Sequence, residues 1–191
     1  SFGFLTPRAA NGLHSLICDE GTAPVSGGFG GNGCVMANVQ LFALGYTVQG
    51  YVPTDGSLLQ INQYPVLYSY LNTAFGGDGN STFAVPNLRA PPGMSYQVCA
   101  SGVPWNLDAM PASGSCTLTE IDLWATRIYP VNYIQVRGAL LPVAQWNALF
   151  SLIFNDFGGD GYYNFALLNI APPLAGMSTA LCASGTYPQA P

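Results

Sequence analysis

Phe75-Gly76-Gly77-Asp78-Gly79 occurs a second time in this chain, as Phe157-Gly158-Gly159-Asp160-Gly161. The two copies lie 82 positions apart, and the same shift superposes sequence on both sides of the turn. Gly56, Leu58 and Leu59 fall on Gly138, Leu140 and Leu141, and Phe83, Ala84 and Asn87 fall on Phe165, Ala166 and Asn169. Self-similarity over this length indicates an internal duplication of one supersecondary unit.

The composition favours many short strands. The 191 residues include 23 glycines and 15 prolines, set among apolar and aromatic segments of strand length. Apolar spacing also predicts one short helix in each copy, within residues 58–72 and 141–154. Pro65 interrupts the first helical pattern, and Pro142 lies near the expected start of the second helix. The fold class is therefore expected to be mainly β with short helices (α+β).

The duplication divides the chain into four parts. Residues 1–33 form an N-terminal arm with a glycine linker, 34–102 the first repeat, 103–115 a connector, and 116–191 the second repeat with a short tail. The arm repeats the final segment of each copy without a body in front of it. Its strand-like row, which ends at the cysteine of that segment, consists of Leu13, Leu16, Ile17 and Cys18.

A lone strand of this kind exposes unpaired backbone groups and must pair with a sheet. Two pairings are open. The arm folds back onto the first repeat, or it completes the sheet of a neighbouring subunit by donor-strand complementation. The second pairing is head-to-tail, and a head-to-tail contact that does not close generates a filament.

The charge content excludes some partners. Only 7% of the residues are charged, lysine is absent, and the net charge is −5. Nucleic acid is therefore not expected as a partner, because phosphate binding needs clusters of Lys and Arg. No apolar run reaches the roughly 18 residues of a membrane helix, so no membrane span is expected. Either the surface is mostly neutral polar, or much of it is covered by other copies of the same chain, as in a homopolymer.

Catalysis is not expected. His14 is the only histidine and has no cysteine or carboxylate spaced to orient it. Glu120 and Asp122 share one face of an expected strand, where a solvated edge is favoured over a general acid–base pair. The pattern Gly28-x-Gly30-x-x-Gly33 lacks the strand and helix of a dinucleotide site and is interpreted as linker glycine.

The Gly-Gly-Asp-Gly turns allow two interpretations. The favoured one is structural: the glycines permit positive φ, and the aspartate caps backbone amides of the turn. The alternative is a calcium site, because carboxylate and amide oxygens alternate after each turn as they do in calcium loops. The residues that would bind calcium are Asp78, Asn80 and Asp160, together with Asp156 and Asn164.

Five cysteines recur at repeat-equivalent positions, which indicates an oxidising, extracellular or cell-surface setting for a secreted protein. Two disulfide registers are open. One joins Cys18 to Cys34 and Cys99 to Cys116, leaving Cys182; the other joins Cys34 to Cys99 and Cys116 to Cys182, leaving Cys18. In either register one cysteine is left to bond a neighbouring subunit, and sequence spacing does not choose between them.

Both copies carry the order Gly-x-Leu-Leu, Gln, Leu, Ser, Phe-Gly-Gly-Asp-Gly and Phe-Ala-x-x-Asn. This order resembles the phage tail collar domain family, whose bacterial members include microcystin-dependent proteins. The resemblance implies a small mixed β fold with one short helix, used in tail fibres and other extracellular assemblies, and implies no enzyme. With the arm, it favours a structural subunit of an extracellular fimbria- or pilus-like filament. The alternative is a phage tail fibre, or an adhesin module that binds a receptor or carbohydrate.

Overall fold

The computed structural model describes residues 34–105 and 116–188. The arm, with Leu13, Leu16, Ile17 and Cys18, and the residue His14 lie outside these ranges. The first repeat comprises β1 (Asn38–Phe42), β2 (Tyr51–Pro53), β3 (Leu58–Gln60), α1 (Pro65–Leu71), β4 (Thr82–Ala84) and β5 (Ser95–Cys99). The second comprises β6 (Ile121–Trp124), β7 (Tyr133–Gln135), β8 (Leu140–Pro142), α2 (Asn147–Ile153), β9 (Asn164–Ala166) and β10 (Ser178–Cys182). The expected mainly β fold with short helices is confirmed, and each repeat has the same order of elements.

One antiparallel sheet joins the two repeats. Its six strands run in the order β2-β5-β1-β6-β10-β7, so each repeat supplies three neighbouring strands. The final strand of each repeat lies inside its own half of the sheet, with β5 between β2 and β1 and β10 between β6 and β7. Both repeats therefore hold their own final strand in place.

The junction between the repeats is the antiparallel pair β1·β6, where Asn38 lies opposite Trp124 and Val39 opposite Leu123. Trp124 and Leu123 are the repeat equivalents of Phe42 and Leu41 under the 82-residue shift. The register is thus symmetric between the two copies, and its centre falls at Gln40 and its equivalent Asp122. The repeats meet as two like surfaces related by an approximate two-fold axis.

Each helix is shorter than expected because a strand occupies the start of the segment. Leu58–Gln60 pairs with Thr82–Ala84, and Leu140–Pro142 pairs with Asn164–Ala166. The turn between these strands brings each partner back alongside, and ladder hydrogen bonds override the helical spacing of the apolar residues. Pro65 is the first residue of α1 and does not interrupt it, since that position needs no backbone N–H donor. The expectation that Pro142 lies near the start of a helix is wrong: it ends β8, and α2 begins at Asn147.

Equivalent side chains fill two cores. In the first repeat, α1 and β4 bury Leu67 and Phe83 completely; in the second, α2 and β9 bury Leu149 and Phe165. These residues occupy matching positions in the two copies and belong to separate apolar clusters. Fully burying one such side chain contributes roughly 1.5–3 kcal/mol relative to leaving it exposed. The spacing that predicted the helices therefore identifies their buried faces correctly.

Trp105 connects the repeats through packing. Its ring lies 5.6 Å from that of Trp124 and 5.0 Å from that of Tyr70, measured between centroids. Its indole N–H donates to the carbonyl of Met36 over 2.8 Å. The third residue of the expected connector, residues 103–115, therefore has a buried side chain at the junction.

The loop before β10 makes a second contact between the repeats. A Cβ at Gly176 would lie 3.3 Å from the ring of Phe75, and Met177 is buried in the first repeat's core. The equivalent loop of the first repeat makes no such contact, since Gly93 faces open space and Met94 is 43% exposed. The approximate symmetry of the sheet is thus not followed by its loops.

Candidate functional site

Each Gly-Gly-Asp-Gly turn is organised by one carboxylate oxygen. Asp78 Oδ1 accepts hydrogen bonds from the backbone N–H groups of Asn80, Ser81 and Thr82, at 2.9, 2.8 and 2.7 Å. Asp160 Oδ1 accepts the three equivalent hydrogen bonds in the second repeat, at 2.8, 2.7 and 2.9 Å. The aspartate therefore satisfies three amides that the turn would otherwise leave unpaired.

The second carboxylate oxygen also has a partner in both turns. The Ser81 hydroxyl donates to Asp78 Oδ2 over 2.6 Å, and the Asn164 amide donates to Asp160 Oδ2 over 3.0 Å. The Ser81 hydroxyl is the main cause that lowers the pKa of Asp78, and the backbone N–H of Asn164 is the main cause for Asp160. Hydrogen bonds to the charged form hold both carboxylates ionised.

The glycine before each aspartate is required by the geometry. Gly77 has φ +96°, and a Cβ there would lie 2.5 Å from Phe83 Cα and 2.6 Å from the Thr82 carbonyl oxygen. Gly159 has φ +94°, and a Cβ would lie 2.6 Å from Phe165 Cα. The turn passes too close to the following strand for any side chain.

These contacts support the structural interpretation of the turns, and the calcium site stays a prediction. Asp78 and Asn80 lie in one turn and Asp160 lies in the other, in the second repeat. Within residues 34–105 and 116–188, no three His, Cys, Asp or Glu side chains form a group that could hold a metal ion. Both oxygens of each turn aspartate already accept hydrogen bonds from the protein.

The two turns share a backbone but present different side chains. Asn80 and Ser81 stand at the tip of the first, whereas Tyr162 and Tyr163 stand at the equivalent positions of the second. Both tyrosines are about three-quarters exposed, at 75% and 74%. Nearby, Phe154 at the end of α2 is exposed, and its equivalent is Asn72. The sequence signal for this difference is the departure from the repeat at positions 162 and 163.

A second polar cluster surrounds Asp122 near the middle of the sheet. The Tyr133 hydroxyl donates to Asp122 Oδ2, and the Asn38 side chain also hydrogen-bonds to this carboxylate. Burial nevertheless raises the pKa of Asp122 above its ordinary value. Burial and then the charge of Asp122 raise the pKa of Tyr133, and they raise the pKa of Tyr51 to about 12. The cluster holds a half-buried acid among hydroxyl and amide donors.

The expectation of a solvated edge is wrong for Asp122, whereas Glu120 is exposed. Strand β6 is internal to the sheet, between β1 and β10. Glu120 precedes the strand, and its Oε2 accepts a hydrogen bond from the Thr117 N–H over 2.9 Å. Although Glu120 is exposed, partial desolvation of its carboxylate, followed by the nearby charge of Asp122, raises its pKa. Strand position within a sheet is a tertiary property, so the alternation of the sequence could not reveal it.

The disulfides follow the second register, which closes each repeat. Cys34 bonds Cys99 and Cys116 bonds Cys182, with Cα separations of 6.1 and 6.0 Å. The first register is wrong, because Cys34 and Cys99 are partners of each other. Cys18 lies outside the described residues. Each bond joins the segment before the first strand of a repeat to the end of its final strand.

The comparisons with known proteins agree with this architecture. The family model of the Phage Tail Collar Domain matches residues 37–91 and 119–170, which together make up more than half of the chain. No match was found to a curated protein or to a solved structure. Each matched region lies within one repeat, from its first strand to just beyond the strand that follows the helix, and ends before the final strand. The chain therefore belongs to the phage tail collar domain family and carries two copies of the domain in tandem.

Proposed function

We propose that this chain is a structural, non-enzymatic component of an extracellular fibre of the phage tail fibre type. The observation that carries the proposal is the fusion of two collar domains into one continuous six-stranded sheet. A fibre needs successive domains in a fixed relative orientation. The shared sheet, with a buried tryptophan pair at the junction, holds the two domains in one orientation.

The disulfides support an extracellular location. Each repeat is closed by a bond between the segment before its first strand and the end of its last strand, and such bonds persist in oxidising compartments. Of the helices in the described residues, neither has the length and apolar character needed to cross a membrane.

The environments of the acidic residues support a non-enzymatic role. Asp78 and Asp160 bind turn amides, Glu120 binds the Thr117 N–H, and Asp122 binds Tyr133. A catalytic acid or base needs to face a substrate, whereas these carboxylates face the protein's own donors. The negative net charge and the absence of lysine also support a role without nucleic acid.

Polymerisation through the arm stays a prediction, because residues 1–33 lie outside the described ranges. The fold sets a condition for it. Both repeats already hold their own final strand, so an arm from another copy would add at an outer edge of the sheet, alongside β2 or β7. Pro53 lacks an N–H on β2, which leaves β7 with the more complete edge of the two.

Negative-stain microscopy of native material tests the proposal. We expect elongated fibres: attachment to phage-like particles would identify a tail fibre, and free polymers on cells would identify a fimbria-like filament. Deleting residues 1–21 tests the role of the arm separately. Loss of polymers in a variant that still folds would assign assembly to the arm. A native protein found only as discrete monomers would contradict the structural role.

A further inference from the structure

Tyr162 and Tyr163 form an exposed aromatic pair at the tip of the second turn. Their ring centroids lie 4.7 Å apart and their planes are nearly perpendicular, at 86°. Within the described residues, neither phenol hydroxyl makes a hydrogen bond to the protein. The tip thus offers the face of one ring beside the edge of the other, with two free hydroxyl groups.

The fold does not need these rings. The first turn has the same backbone, with nearly equal φ at Gly77 and Gly159 and the same three amide bonds to its aspartate. It achieves this with Asn80 and Ser81 at the tip. Large apolar surface exposed without a structural reason commonly marks an interaction site.

The pair is also held ready for a ligand. The backbone N–H groups of both tyrosines donate to Asp160 Oδ1, and the Asn164 side chain binds the other oxygen of that carboxylate. A ligand that stacks on these rings would therefore order little backbone on binding. Tyrosine further limits the entropic cost, because its rigid side chain has few rotatable bonds.

The neighbouring residues limit the chemistry of the ligand. Residues 154–164 contain two acids and no cation, so an anionic ligand would be repelled. Asp160 is engaged by the turn, which leaves the rings, their hydroxyls and Asn155 as contact groups. Asn155 lies against the turn, with its Nδ2 3.1 Å from the position of a Cβ on Gly161. Aromatic faces beside neutral hydrogen-bonding groups match a neutral saccharide, whose C–H face is apolar and whose rim carries hydroxyls.

We propose that the tip formed by Tyr162 and Tyr163 in the second repeat is a binding site for neutral saccharides. The rings stack on the sugar, and their hydroxyls and Asn155 contact its hydroxyl groups. This inference goes beyond the fibre role and does not depend on it, since a monomeric protein would present the same tip.

The test is calorimetric titration of the full chain with cellohexaose, maltohexaose and chitohexaose. We expect saturable binding of at least one of them at one site per chain. The double substitution Tyr162→Asn with Tyr163→Ser installs the side chains of the first turn, so the fold is retained. It should weaken binding at least about tenfold, as expected for the loss of central aromatic contacts. An unchanged melting temperature is the control.

The reciprocal variant supplies a gain of function. Asn80→Tyr and Ser81→Tyr place rings on the first turn, and Thr82→Asn restores the donor that Ser81 gives to Asp78 Oδ2. We expect two sites per chain in place of one. Failure of the native chain to bind any of the three hexasaccharides, or equal affinity in the double variant, would overturn the proposal. A double variant that changes only fibre assembly would also overturn it, by assigning the tip to contacts between copies.

Discussion

Replacing Gly77 by alanine tests whether the close approach of the turn to β4 is a requirement of the fold. The new Cβ would lie 2.5 Å from Phe83 Cα and 2.6 Å from the Thr82 carbonyl oxygen, and both are backbone atoms. Such atoms cannot move aside without shifting the strand. The substitution also holds a non-glycine residue at φ +96°.

Two contributions set how much the free energy of unfolding falls in Gly77→Ala. A positive φ costs about 1–2 kcal/mol for a residue with a Cβ, and forced overpacking costs about 1–3 kcal/mol. The free energy of unfolding should therefore fall by about 2–5 kcal/mol. For a chain of this size, this corresponds to a melting temperature lower by roughly 4–20 °C.

Gly93 and Gly45 provide matched controls. Gly93 has φ +79° with nothing within 4 Å of its Cβ position, so Gly93→Ala should incur only the conformational contribution. Gly45 has neither a crowded Cβ position nor a left-handed φ, so Gly45→Ala should be close to neutral. Thermal unfolding followed by circular dichroism ranks the three. If Gly77→Ala melts no lower than Gly93→Ala, the close-approach argument is refuted.

Four further predictions follow from the site. Replacing Cys34 and Cys99 together by alanine should lower the free energy of unfolding by about 4 kcal/mol, because the bond closes a 65-residue loop. Peptide mapping of the unreduced protein that does not find this link would contradict the prediction. Asp122→Asn should raise the melting temperature at pH 7, because the raised pKa makes the charged acid unfavourable; the gain should vanish below the unfolded pKa of about 3.9. Asp78→Asn should lower the melting temperature at pH 7, because the lowered pKa of Asp78 stabilises the fold above the unfolded-state pKa. This loss of stability should disappear as the pH falls through the folded-state pKa of Asp78. Excess chelator should leave the melting curve unchanged, and a lowered curve would support the calcium interpretation.

Local and repeated features could be predicted from the sequence. The duplication located both turns, and the apolar spacing located Leu67 and Leu149 on the buried faces of their helices. The glycine and aspartate of each turn have roles set by neighbouring backbone, so their chemistry is visible in five consecutive residues. For the same reason, the tyrosines at 162 and 163 stand out as a departure from the first copy.

Features that depend on distant partners could not be predicted. Residues 58–72 have the apolar spacing of a helix, yet Leu58–Gln60 at their start is a strand because Thr82–Ala84 returns alongside it. The pairing of β1 with β6 is encoded in neither repeat alone, and it places Asp122 inside the sheet. The disulfide register needed the Cα separations that the pairings β1·β5 and β6·β10 fix within each repeat.

The two disulfides also limit how far the chain can be stretched. The first links two cysteines that are 65 positions apart in the sequence, and the second links two that are 66 positions apart. Tension applied to the ends of the chain passes from sulfur to sulfur and bypasses the turn, the helix and the hairpin of each repeat. At about 3.4 Å per extended residue, each closed loop withholds roughly 220 Å of contour length. A fibre built from this chain would therefore resist elongation even after its sheets yield, and a reducing environment would release that hidden length.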